Sequence, residues 1–143
     1  MLVNKGFTLI ELLIAIAITG ILASIAVPAF TAMIATTQVK SDASNLHFSL
    51  LRARSEAVKR NTSITLAPVG GGWKYGWTIS NNIQTQGAAK TDITGPASVI
   101  YNANGRAAGG AVVSFDVSSP KTTTKRCVTI SLSGMPVVKL QGC

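Results

Sequence analysis

Glu11 is the only ionisable side chain between Lys5 and Lys40, set near the start of the run Gly6-Phe7-Thr8-Leu9-Ile10-Glu11-Leu12-Leu13-Ile14. A carboxylate among apolar neighbours is costly unless a cation or hydrogen-bond donors meet it, so it implies a partner. Cys127 and Cys143 are the only cysteines. They admit a disulfide, a pair of free thiols or half of a metal site. With the lone His47 far away in sequence they make a poor zinc set, and neither a metal nor a cofactor is expected. Lys121-Thr122-Thr123-Thr124-Lys125-Arg126 interleaves cations with hydroxyls, the side chains that grip phosphate oxygens, and Arg106 and Lys139 could join them. His47 fits a half-buried helix position better than a general base. There is no G-x-S-x-G and no paired carboxylates with an acid–base division of labour. Gly70-Gly71-Gly72 opens no helix, so it is a turn and not a phosphate loop. These absences argue against an enzyme.

The chain has 143 residues, of which 47% are hydrophobic. Much of that apolar content lies in the first 35 residues. The remainder is rich in Gly, Ser and Thr, which predicts one small β-containing domain with a modest core. The formal net charge is +8. Lys5 and Glu11 cancel, so the whole excess lies beyond residue 30. Such a surface attracts nucleic acid, anionic lipid or acidic glycan, or simply keeps the domain soluble.

Phe7 to Phe30 is 24 residues with one charge. At about 1.5 Å per residue it can cross a hydrocarbon core of about 30 Å. The rival reading is a cleaved secretory signal, with Lys5 as its basic leader and Ser24-Ile25-Ala26 as a small-x-small cut site. A discarded peptide has no use for Glu11, whereas a retained helix does. Thr19, Gly20 and Pro28 interrupt the apolar run but are tolerated in a membrane or a helix bundle.

A short leader ending in Gly6, then Phe7, then Glu11 at the fifth position after the glycine, then an apolar helix, resembles the class III signal of type IV pilins and type II secretion pseudopilins. That resemblance implies cleavage by a prepilin peptidase after Gly6, N-methylation of the new amine on Phe7, and retention of the helix. It also gives Glu11 a partner: the Phe7 amine of a neighbouring subunit. In low dielectric such a pairing sets the register between helices. Placement in the first helical turn, where the macrodipole favours an anion, is a second contribution.

Beyond the apolar segment, Val39, Ala43, Leu46, Leu50, Ala53 and Ala57 alternate at spacings of four and three, one stripe of a helix. One long helix is therefore expected from Phe7 to about Arg60, ending at Asn61-Thr62. Lys40, Asp42, Arg52, Glu56 and Lys59 are placed off the stripe, and Glu56 can pair with Arg52 or Arg60. Strands are expected at 63–69, 73–79, 98–101, 111–117, 126–132 and 136–140, with 80–97 an irregular loop. The aromatics at 73, 75 and 77 would share one strand face and serve the core. Strands without intervening helices predict an antiparallel sheet.

The order of these segments resembles the GspH/FimT-like minor pilins, as do the RSEA stretch at 54–57, Trp73 to Trp77 with Gly76 between them, and the hairpin Tyr101 to Arg106. The implied fold is α+β: a pilin fold with a long N-terminal helix packed on an antiparallel β-sheet. The implied organisation is a leader over 1–6, a transmembrane and filament-core helix over 7–30, an amphipathic half-helix over 31–61 and a β domain over 62–143. The mature chain would lie outside the cytoplasm, where a Cys127–Cys143 disulfide persists. Closing that loop contributes about 3 kcal/mol. The implied role is a minor pilin, anchored in the inner membrane and then built into a pilus with other pilins. The alternative is a minor pseudopilin of a type II secretion system. Some relatives of this type bind double-stranded DNA during natural transformation, which makes Arg106, Lys121, Lys125, Arg126 and Lys139 candidate contacts. The DNA-binding members carry G-R-x-R in the last hairpin, where this chain has Gly134-Met135-Pro136-Val137.

Overall fold

A computed structural model describes residues 7–143. The expected leader over 1–6, with the Gly6 side of the cut, lies outside the described residues. One helix, α1, runs from Leu9 to Arg60. Thr8 caps it: its hydroxyl accepts from the Glu11 amide while the Glu11 carboxylate accepts from the Thr8 amide, a reciprocal capping box. The helix ends where Asn61 turns left-handed (φ 49°) and its amide closes on the carbonyls of Ala57 and Val58. It continues through Pro28, whose carbonyl accepts from the Thr31 hydroxyl at 2.8 Å.

The helix has two environments. Residues 9–31 are exposed throughout, an apolar rod covered by nothing among the described residues. From Ala35 onward one stripe is buried, and it includes every member of the expected set from Val39 to Ala57. Asp42 and Ser49 are buried with it. The placement of Asp42 off the stripe is therefore corrected: it lies three residues from Val39 and four from Leu46, inside the stripe's own spacing.

The stripe packs on two antiparallel sheets rather than one. The first contains β1 (Ile64–Pro68), β2 (Trp77–Ile79), β3 (Gln84–Gln86) and β5 (Val99–Tyr101), in the order β3-β2-β1-β5. The second contains β4 (Asp92–Thr94), β6 (Val113–Ser118), β7 (Arg126–Ile130) and β8 (Pro136–Lys139), in the order β4-β6-β7-β8. Ile64, Leu66, Trp77, Ile79 and Tyr101 from the first sheet meet Phe115, Val117, Val128 and Ile130 from the second in a single core under α1. Alanines at 43, 53 and 57 let sheet backbones approach the helix.

Two further expectations are corrected. Residues 73–79 are not one strand: Trp73–Tyr75 is a 3-10 turn, and the strand begins at Trp77. Gly76 forces this break. Its φ is +104°, and a Cβ there would collide with the backbone of Gln86 and Gly87. The three aromatics consequently do not share a face. Trp73 and Trp77 are buried and Tyr75 is exposed. Trp73 stands edge-on to Phe115 with centroids 4.8 Å apart and donates Nε1–H to the Pro96 carbonyl at 2.7 Å. The supposed loop over 80–97 contains β3 and β4, one at the edge of each sheet. Only Ile93 is buried in those two strands, so they carry no alternation to read.

Candidate functional site

The head of α1 comes first. The Glu11 Oε2 accepts from the Thr8 amide at 2.9 Å and from the Thr8 hydroxyl at 2.7 Å. In the isolated chain the carboxylate is therefore held by its own helix start, pre-aimed at the N-terminal end where the orphan amides lie. Phe7, Leu9 and Ile10 precede Glu11 and Leu12 and Leu13 follow it, all exposed.

The basic residues form more than one group. The loop between β6 and β7 wraps onto the helix, where the Thr36 hydroxyl meets that of Thr122 at 2.8 Å. This brings Lys125 and Arg126 beside Lys40 around an open cleft of about 420 Å³, shared with Thr36, Thr123 and Thr124. A second cleft on the other side of Gln38 is lined by Lys74, Lys90 and Lys121. Lys74 is neutralised there by Asp92 at 2.6 Å, a bond that raises the ammonium pKa above its ordinary value. Lys40, Lys90, Lys121, Lys125 and Arg126 have no carboxylate partner among the described residues. Arg126 is partly committed, since it donates to the carbonyls of Lys125 and Leu140 at 2.8 and 3.1 Å.

Two of the expected contacts fall elsewhere. Arg106 lies at the other end of the domain, donating to the Leu132 carbonyl at 3.2 Å, beside Gly105, whose carbonyl binds Arg54 at 2.9 Å. Arg54 is 14 residues along α1 from Lys40, about 21 Å by helical rise. Lys139 pairs across the sheet with Cys127, and strand alternation puts it on the face turned away from α1, opposite Arg126. Cys127 and Cys143 form a disulfide on that same face. There the Cys143 amide donates to Asp116 at 3.1 Å, which ties the C-terminal segment to β6.

The remaining polar groups are structural. The His47 Nε2 lies 3.2 Å from the Pro136 carbonyl, which fits its reading as a half-buried helix residue. Glu56 pairs with Arg60 at 2.6 Å rather than with Arg52, and this bond lowers its pKa. Asp42, overlooked as a site residue, accepts the Lys90 amide at 2.9 Å and the Thr91 hydroxyl at 2.8 Å, and so pins the β3–β4 connection onto the helix. Its spacing from Val39 and Leu46 was the available signal. No group of three or more His, Cys, Asp or Glu that could hold a metal is present among the described residues.

This architecture has known counterparts. The family model described as Type II transport protein GspH matches residues 42–134, and the model described as Prokaryotic N-terminal methylation motif matches residues 1–27. A Type IV major fimbrial protein FimA of Dichelobacter nodosus is 38% identical over 98 residues, 66% of this chain and 56% of that protein. A Fimbrial protein of Pseudomonas aeruginosa is 35% identical over 92 residues, 64% of this chain and 60% of that protein. The matches thus span little more than half the length of these relatives. The crystal structure of the type IV minor pilin FimU of Pseudomonas aeruginosa strain PAO1 superposes with a TM-score of 0.64 at 21% identity. It covers 70% of this chain and 91% of that one. A second crystal form of FimU gives a TM-score of 0.62. The fold is therefore the pilin fold. The methylation motif and the bare apolar helix fit a chain anchored in the inner membrane and later assembled into a periplasmic or surface pilus. The chain belongs to the GspH family of type IV pilin-like and pseudopilin proteins.

Proposed function

We propose that this chain is a structural subunit of a type IV pilus, a minor pilin that enters the filament through its N-terminal helix. The observation that carries the reading is the exposed apolar rod over residues 9–31 with Glu11 at its head, joined to a packed domain. Such a rod must be covered by lipid or by like helices, because its apolar area in water is strongly unfavourable. Cleavage after Gly6 by a prepilin peptidase would create the Phe7 amine, which is then methylated. Glu11 would exchange the Thr8 donors it holds in the free subunit for the amine of a neighbour. The match to a family described for type II transport supports the alternative of a minor pseudopilin, which would use the same helix chemistry.

The test is incorporation. Breaking a buried pair by removing one partner costs about 3–5 kcal/mol. Glu11→Ala should therefore leave the subunit processed and in the membrane but reduce it in sheared filaments about a hundred-fold or more. Undiminished Glu11→Ala in the filament fraction refutes the pairing.

Binding of double-stranded DNA is a second reading, favoured by the grouping of Lys121, Lys125 and Arg126 around the helix. Arg106 lies at the other end of the domain, whereas Lys139, one strand from Arg126 but on the opposite sheet face, could join them only by a contact that wraps the sheet edge. Contacts from these three side chains give a salt slope of about −2.7. Retardation of duplex DNA by the full chain in neutral detergent should then fall steeply with salt and vanish in the triple alanine variant. No retardation at low salt eliminates this reading.

A further inference from the structure

We propose that Lys40, Lys90, Lys121, Lys125 and Arg126 form a collar that binds the phosphates of anionic phospholipid in the leaflet from which the helix emerges. This inference rests on the membrane-anchored reading given above. The position of the collar along α1 is the first observation. If Glu11 marks one boundary of the hydrocarbon, about 30 Å at about 1.5 Å per residue brings the other boundary to about residue 31. The headgroup layer, a further 5–7 Å or so, then reaches about Thr36. That is the residue on which the β6–β7 loop is seated through Thr122, and helix burial begins beside it at Ala35. The loop cations Lys121, Lys125 and Arg126 are thus placed near headgroup level by the same contact that docks the loop, while Lys90, held at the level of Asp42, stands farther out.

Direction is the second observation. Side chains on a helix lean toward its N-terminus, so Lys40 covers the turn of Thr36 and points back toward the bilayer. It borders the cleft it shares with Lys125 and Arg126. On the far side of Gln38, Lys90 and Lys121 line the matching cleft, so cations stand on both flanks of the emerging helix. Of the nearby acids only Asp92 is charge-paired, with Lys74. Asp42 and Asp116 are held by neutral donors and keep their charge, so five cations stand against two carboxylates and the excess stays positive. Thr36, Thr123 and Thr124 supply hydroxyls beside the ammonium groups, the donor mixture that suits phosphate. Nucleic acid meets the same cations only once the bilayer no longer faces them. A rigid duplex also cannot enter between the clefts while the helix is inserted.

The experiment uses the full chain in lipid discs made with phosphatidylcholine alone or with added phosphatidylglycerol, and reads amide hydrogen exchange over residues 119–126. Each cation near an anionic surface is expected to shift the local equilibrium about five-fold. The loop amides should therefore exchange at least about five-fold more slowly in the anionic discs. The difference should vanish at 1 M salt, where the screening length falls to about 3 Å. It should also shrink at least about five-fold, or to nothing where the parent effect is small, in the variant Lys40→Gln, Lys121→Gln, Lys125→Gln, which keeps Lys90 and Arg126 and whose folding is verified by unchanged protection of β6 and β7. Equal exchange in both discs overturns the proposal. So does equal slowing in the neutral discs on addition of inorganic phosphate, which would mark a free-anion site, or of duplex DNA, which would mark a nucleic-acid site. Co-elution of the chain with either disc reports the anchoring separately. A chain that elutes apart from both discs refutes the membrane reading and this proposal with it.

Discussion

Replacing Asp42 by alanine tests whether a buried acid on the helix stripe holds the two halves of the β domain in place. Both of its bonds converge on one oxygen: Oδ2 accepts the Lys90 amide at 2.9 Å and the Thr91 hydroxyl at 2.8 Å. Thr91 is 3% exposed, so truncation strands a buried hydroxyl and a backbone amide on the connection from β3 to β4. Each stranded group costs about 1–3 kcal/mol. The neighbouring cleft admits water to the Lys90 side, which favours the lower end there. The expected loss for Asp42→Ala is therefore about 3 kcal/mol, more than a hundred-fold in local opening. Because a single oxygen takes both bonds, an asparagine carbonyl can replace it. Asp42→Asn should lose only the charge-assisted part, about 1 kcal/mol. The assay is hydrogen exchange of residues 88–91 in the detergent-solubilised chain, together with its thermal midpoint. Unchanged protection in Asp42→Ala, or an equal loss in the asparagine variant, refutes the two-bond account.

Cys143→Ser should lower stability by about 3 kcal/mol in the chain-entropy picture, read as a drop in thermal midpoint that reducing agent reproduces in the parent and not in the variant. Gly134→Ala should cost more than about 2 kcal/mol, since the residue sits at φ +83° and a Cβ would strike the Gly105 carbonyl and Arg106 Cα. Gly109→Ala, at φ +95° with nothing within 4 Å, should cost only about 1 kcal/mol, and denaturant titration of the pair checks the difference. Tyr101 is buried, which pushes its phenol up to about 12 from an ordinary 10.0. The raised folded value means that its contribution to stability is complete below pH 10 and is lost as the pH climbs toward 12. In a Tyr75→Phe background, tyrosinate absorbance should appear only near that upper value and together with unfolding.

The long elements were legible because each repeats one simple signal many times. The stripe from Val39 to Ala57 obeys helical spacing over five turns or so, and all of it is buried. β6, β7 and β8 alternate well enough to be placed within about two residues. The short elements were not legible. A three-residue strand such as Gln84–Gln86 has no period, and its identity comes from pairing with β2 across the sheet. The aromatic trio failed for a local reason: Gly76 alone, through its left-handed φ and contact with Gln86, turns Trp73–Tyr75 out of the strand. The candidate contacts divide similarly. Lys121, Lys125 and Arg126 stay together because they are neighbours in the chain. Arg106 and Lys139 were joined to them only by charge: Arg106 folds to the other end of the domain, and Lys139, though beside Cys127 in register, projects from the opposite sheet face. Asp42 was hidden by its type, since an acid on a stripe looks like an interruption until its donors are seen.

Mass determination of the N-terminal peptide of the exported chain tests the central claim most directly. Assembly through the apolar helix requires that helix to be retained behind a new amine facing Glu11, so the peptide should begin at Phe7 and carry one added methyl group. A start at Val27, or an untrimmed start at Met1, contradicts the assignment of this chain as a filament subunit.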